Sequence, residues 1–249
     1  ATAVAAADAE SLRSIGQRKG LQVGSAIGMP AQDSTQRFGF QDPAYRELMA
    51  RECSAVVCEN EMKWQWLRPS AKAFTFARAD RIRDWTKASG LALRGHTLLW
   101  QDPVHYPDWL TAFQFGSQPR AQAEALLVEH VSTVCRRYAA DITSWDVVNE
   151  AVAPDSGELR RNVFADKLGG VEAVEIAFRT AREHAPKAQL VYNDFMGWGP
   201  SSAKHRAGVL ELLAALKKRG APIDALGLQG HVGTSGDGRA IDPEGAQER

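Results

Sequence analysis

Six short apolar runs recur along the chain, at residues 24–27, 55–58, 91–94, 142–148, 189–192 and 225–229, and helical periodicity follows each of them. The fourth run, Ile142-Thr-Ser-Trp-Asp-Val-Val148, is rich in β-branched and aromatic residues, which suits a pleated strand. Amphipathic stretches fill the gaps, notably 121–138 and 171–184. The second of these puts Val171, Val174, Ala177, Phe178 and Ala181 on one helical face. Ala88-Ser89-Gly90 and Lys217-Lys218-Arg219-Gly220 read as helix ends before the third and sixth runs. Regular strand–helix alternation predicts an α/β fold with a parallel sheet and helices outside it.

Two architectures fit that alternation, a doubly wound sheet and a (β/α)8 TIM barrel. No Gly-x-Gly-x-x-Gly follows the first run and no Walker-type loop occurs, so nucleotide binding has no support. Polar residues close nearly every run: Glu59-Asn60-Glu61-Met62-Lys63, Gly95-His96, Asn149-Glu150, Asn193-Asp194 and Gln229-Gly230-His231. A doubly wound sheet gathers its site at one switch point, whereas a barrel draws it from every strand end, so the barrel is favoured. The run starts span residue 24 to residue 225, five intervals averaging about 40 residues, so eight units need roughly 320 residues against the 249 present. The final stretch, 241–249, reads as the entry to a sixth helix. The expectation is a single domain over 1–249, an incomplete barrel with about six of the eight β/α units and two open sheet edges.

Composition narrows the partners. At 44% hydrophobic and 24% charged, the chain suits one large globular domain or two small ones. Thirty basic residues balance thirty acidic ones, leaving no field that invites nucleic acid or an anionic membrane. No apolar stretch approaches the length of a spanning helix. The small-residue terminus at 1–8 is compatible with a stub left after signal cleavage, and a frayed end is the plainer reading. Cys53, Cys58 and Cys135 have no metal-ligand spacing and read as buried thiols.

The chemistry lies in the strand ends. Asn149 and Glu150 put an amide and a carboxylate where a barrel keeps its active site, although the same pair could begin a solvated loop. Four motifs decide: Glu59-Asn-Glu-Met-Lys-Trp64, Arg94-Gly-His-Thr-Leu-Leu-Trp100, Trp145-Asp-Val-Val-Asn-Glu150 and Gly227-Leu-Gln-Gly-His231. In this order the chain resembles glycoside hydrolase family 10, the retaining endo-1,4-β-xylanases, from about residue 24 to residue 231. Such enzymes flank the scissile bond with two carboxyl groups, one protonating the leaving oxygen and one attacking the anomeric carbon. The resemblance implies that Glu150 is the general acid/base. A carboxyl acting as an acid near neutrality needs an apolar wall, for which Trp100 is the candidate, or a nearby carboxylate.

The resemblance also implies that Asn149 bonds the sugar 2-hydroxyl, and that Glu59, Asn60 and Lys63 clamp the glycone. His96 and Trp100 would line the subsite nearest cleavage, Trp100 against a sugar face. Gln229 would hydrogen-bond the acid/base, and His231 would orient the nucleophile. Glu61 is expected to face away as an ion-pair partner. Trp64, Trp66, Trp85, Trp109 and Trp145 are expected in packing roles.

The chain departs from the family at three places. Gln101 follows Trp100 where a histidine is common, which puts the polar network beneath the sugar in question; His105 reads as a surface-loop residue. Phe195 stands where many relatives carry tyrosine. The nucleophile's Thr-Glu-x-Asp pattern does not occur, and Glu244 and Glu248 sit in a loop-and-helix-start context that does not replace it. The implied function is xylan or xylo-oligosaccharide hydrolysis with retention, secreted or periplasmic, without metal or cofactor. The missing C-terminal segment of the barrel is the one macromolecular partner implied. The alternatives are a non-catalytic xylan-binding relative and a β-1,4-glucanase of the same fold.

Overall fold

The computed structural model describes residues 10–29 and 39–231. The terminal stretch 1–8, the expected helix start at 241–249, and with it Glu244 and Glu248, lie outside the described residues. Six strands form one sheet: β1 Gly24–Ile27, β2 Ala55–Cys58, β3 Ala92–Trp100, β4 Ile142–Asn149, β5 Gln189–Asp194 and β6 Ala225–Leu228. Every neighbouring pair is parallel and the spatial order follows the chain order, β1 to β6. A doubly wound sheet reverses its order at a switch point; this one never does. The fold is therefore α/β, a half-barrel matching six units of a (β/α)8 barrel. Among the described residues β1 and β6 are its edges.

The helices are α1 Leu12–Arg18, α2 Pro43–Glu52, α3 Trp64–Leu67, α4 Ala77–Ala88, α5 Asp108–Thr111, α6 Pro119–Tyr138, α7 Val163–Leu168, α8 Gly170–His184 and α9 Ala203–Lys218. Of the stripe expected on helix α8, Val174, Ala177, Phe178 and Ala181 are buried and Val171 is half-buried. Helix α6 buries Leu127, Val131, Val134, Cys135 and Tyr138 beside it. Gly90 ends the α4 turn at φ 62°, a left-handed conformation that glycine adopts without a Cβ penalty. All three cysteines are free and buried.

Two expectations need correction. The third strand runs to Trp100, so Gly95 and His96 lie mid-strand rather than at its end. The apolar Leu98 and Leu99 beyond them, both fully buried, explain why the strand continues. Among the tryptophans assigned to packing, Trp64 and Trp145 are buried, but Trp66 is exposed and carries Arg78 over its ring at 4.8 Å.

Behind α3, the fully buried His130 of α6 stacks on Trp64 with centroids 3.6 Å apart. Burial, and then the Arg68 charge, hold its imidazole well below the ordinary histidine range. In the unfolded chain the ring takes up a proton near pH 6.5, while in the fold it stays neutral. Its contribution to stability is thus present above that pH and is lost as pH falls below it. Urea unfolding at pH 7 and pH 5 is expected to show a lower midpoint at pH 5. His130→Phe should reduce that difference, and an unchanged pH slope in the variant would remove the assignment.

Candidate functional site

The parallel ladder continues one residue beyond several strands, and those residues are the polar ones. The Glu59 amide donates to the Ile27 carbonyl at 3.0 Å, and Gln101, Glu150 and Gln229 donate to Asn149, Asn193 and Asp194, each at 2.9 Å. Register pairs Trp100 with Asn149, and Asn149 with Asn193. The carboxyl ends of β3 to β6 thus bring Trp100, Asn149, Glu150, Asn193 and Gln229 to one rim.

Glu150 is at the centre, 8% exposed. Its Oε2 accepts from Trp100 Nε1 at 3.0 Å and its Oε1 from Gln229 Nε2 at 2.8 Å. Its backbone is left-handed, φ 55°, a conformation that costs a non-glycine residue about 1–3 kcal/mol and persists where surroundings over-determine it. Those surroundings include Tyr192, whose hydroxyl accepts from the Ala151 amide at 3.1 Å and donates to Asp194 at 2.6 Å. Asp194 is fully buried, with His205 Nε2 3.0 Å from its Oδ1. Burial pushes its carboxyl above the usual range, against the opposing pull of Tyr192 and His205.

Asn149 is fully buried. Its Oδ1 accepts from Asn193 Nδ2 at 2.8 Å and Gln229 Nε2 at 3.2 Å. Two donors on the oxygen fix the amide, and Nδ2 is left buried without a partner among the described residues. An unpaired buried donor costs about 1–3 kcal/mol, so an incoming hydroxyl oxygen at this place would be stabilised. Gln229 in turn places its Oε1 2.8 Å from Nε2 of the exposed His231.

Beyond β2, Lys63 Nζ donates to Asn60 Oδ1 at 2.8 Å and lies 5.0 Å from the Trp100 ring centroid. Burial lowers the ammonium pKa, opposed by the charges of Glu59, Glu61 and Glu150. Glu59 is exposed at the strand end, beside Gly28, where a Cβ would meet its carboxylate at 2.7 Å. Glu61 is buried beneath these groups: it accepts from the Met29 amide at 2.6 Å and from the Asn60 amide at 3.2 Å, with Arg78 at 3.5 Å, the ion-pair partner expected. His96 Nδ1 lies 3.0 Å from Asp146 Oδ2, and Asp146 is also paired with Arg94. A carboxylate only accepts, so Nδ1 carries the hydrogen of that contact, and Nε2 has no hydrogen-bond partner among the described residues.

Two sequence readings are sharpened here. The polar network questioned at Gln101 has a partner: Asn162 Nδ2 donates to its Oε1 at 2.6 Å and to its carbonyl at 2.9 Å. His105 is not a free surface residue, because its ring stacks on Trp100 with centroids 3.5 Å apart at 26°. One Trp100 face is therefore covered by protein, and its indole edge is engaged with Glu150. Sequence reasoning also missed Tyr192, Asn193, Asp146 and Asn162; only Asn193, as a polar strand ending, carried a signal.

Among the described residues no group of histidines, cysteines or carboxylates is arranged to hold a metal. No described helix is long and apolar enough to cross a membrane.

Comparison with known proteins gives a consistent picture. The model of Glycosyl hydrolase family 10 matches residues 11–244. Endo-1,4-beta-xylanase B of Paenibacillus barcinonensis is 35% identical over 188 residues, covering 74% of this chain and 54% of that protein. Beta-1,4-xylanase of Dictyoglomus thermophilum is 34% identical over 187 residues, covering 75% of this chain and 50% of that protein. The chain thus spans about half the length of these relatives. Native xylanase 10B of Thermotoga maritima superposes with TM-score 0.77 at 29% identity, covering 92% of this chain and 67% of that one. Xylanase 10B of Thermotoga petrophila RKU-1, in complex with xylobiose, gives TM-score 0.78 at 28% identity, covering 94% and 68%.

Proposed function

Because this chain belongs to glycosyl hydrolase family 10, we propose that it supplies the proton-donating side of an endo-1,4-β-xylanase acting with retention. The observation that carries this reading is Glu150: one carboxylate, nearly buried, held at both oxygens by Trp100 and Gln229 at the rim of a parallel half-barrel. In the forward step it gives its proton to the leaving glycosidic oxygen; in the return step it takes one from water. Asn149, with its unpaired Nδ2, takes the sugar 2-hydroxyl, a contact that tightens as positive charge develops at the anomeric carbon. Asn60, Lys63, Glu59 and the Nε2 of His96 take the remaining hydroxyls on the glycone side. Xylobiose in a structural relative supports xylo-oligosaccharide as the ligand class. A polymeric substrate supports action outside the cytoplasm, secreted or periplasmic.

Retention needs a second carboxylate about 5–5.5 Å from the first, on the other side of the anomeric carbon. His231 is the neighbour that would orient it. The 249 residues contain no Thr-Glu-x-Asp strand to provide it, and buried Asp194 is already engaged by Tyr192 and flanked by His205. We therefore expect these 249 residues alone to bind xylo-oligosaccharides without turning them over. Adding a polypeptide with the nucleophile strand should restore hydrolysis, with the β-anomer formed first. Robust xylan turnover by the 249 residues alone would overturn the division of labour. Tight binding by a cooperatively folded chain that never converts to hydrolysis on completion would favour a carbohydrate-binding relative.

A further inference from the structure

The loop after β3 has no role in the chemistry above, yet it closes a ring of contacts around Glu150. Starting at the acid, Oε2 accepts from Trp100 Nε1 at 3.0 Å. The Trp100 indole is overlain by His105, centroids 3.5 Å apart. His105 sits in a 3-10 turn, Pro103–His105, capped by Asp102, whose Oδ1 accepts from the Val104 amide at 3.1 Å. Asp102 Oδ2 is paired with Arg160 at 2.7 Å. The Arg160 amide donates to the Ala151 carbonyl at 2.9 Å, the residue directly after Glu150. The ring therefore returns to the strained backbone from which it began.

We infer that His105 is a positioning residue for Glu150, acting through Trp100: its ring, set by the capped turn, fixes the indole so that the indole N–H stays on the carboxylate. This rests on the reading of Glu150 as proton donor. The physical case is one of degrees of freedom. A tryptophan side chain has two rotatable bonds, and an N–H to carboxylate bond weakens steeply as its angle falls away from linear. A flat partner at van der Waals distance removes the tilt that would misalign it. The charged groups that bear on the His105 ring are Asp102, Glu150, Lys63 and Arg160. Two are acidic and two basic, so no single sign of charge surrounds the ring, and its closest contact is the indole face. A sequence reading would miss this, because residue 105 is five positions beyond Trp100, past Pro103, and looks like loop.

The test needs no turnover. In the 15N-labelled 249-residue chain, the Trp100 indole N–H resonance, assigned with Trp100→Phe, is followed for exchange with water. His105→Ala should speed that exchange about fivefold, the equivalent of losing about 1 kcal/mol of ring stacking, while the other indoles are unmoved. His105→Phe, which keeps a flat ring, should restore protection, and Arg160→Met should reproduce part of the loss by loosening the turn. Glu150→Gln should shift the same resonance, marking the carboxylate as its partner. Unchanged exchange in His105→Ala, or equal loss in His105→Phe, would overturn the inference. A failure of the xylanase reading would instead appear as hydrolysis surviving Glu150→Gln in the completed barrel, with the indole exchange pattern intact.

Discussion

Glu150→Gln, in a barrel completed by the nucleophile strand, is expected to lower kcat/KM on xylan by roughly 10²–10⁴. The substitution is nearly isosteric, so the cavity between Trp100 and Gln229 stays filled. Glutamine still offers one oxygen, but its amide nitrogen must face a second donor, either Trp100 Nε1 or Gln229 Nε2, where the carboxylate now accepts from both. The large loss is chemical: an amide has no proton to give a departing xylose oxygen. A dinitrophenyl xylobioside departs without that proton, so its first step should be largely spared and the loss should move to release of the glycosyl-enzyme. Azide, which attacks without a general base, should then speed turnover and yield the β-glycosyl azide. Undiminished xylan hydrolysis would remove Glu150 from the mechanism.

The largest stability effect is expected at the β3–β4 contact. Trp145 is fully buried, and its ring fills the space over Gly95, where a Cβ would lie 2.1 Å from Trp145 Cε3. Trp145→Ala should cost about 3–5 kcal/mol, because a large ring is deleted from a site walled by sheet and helix. Gly95→Ala should cost about 1–3 kcal/mol for the opposite reason, since the caged indole cannot give way. The double variant is the sharper measurement: the new methyl group enters the hole left by the indole, so the two costs should sum to more than the double variant shows. Strictly additive urea midpoints would mean that the two residues do not share this space. The same pair of strands carries His96, Trp100 and Asn149 and leads directly into Glu150, so substrate binding should weaken alongside stability.

The sequence was a good guide wherever one residue's chemistry could be read from its own neighbourhood. All six strand starts were legible to within a residue, because each apolar run is bounded by helix-ending glycines or by polar residues. Glu150, Asn149 and Gln229 were legible because polar side chains at the end of apolar runs violate packing preference, and the motif order named the family. The third strand was read short because Gly95 and His96 look like a break, whereas buried Leu98 and Leu99 carry it on to Trp100. Trp66 was assigned to packing by residue type alone, and only burial could correct that.

Local pattern alone thus determined the parallel α/β order, the helical faces and the set of polar residues available at the rim, since periodicity and strand endings are properties of adjacent positions. Tertiary structure decided how those residues hold one another. The left-handed turn at Glu150, the two donors on its carboxylate, the Asn162 support of Gln101, and His105 lying on Trp100 all join strands and loops that are distant in sequence. Hydrogen bonds and ring stacking depend on distances of about 3–4 Å, and only the folded sheet sets those distances.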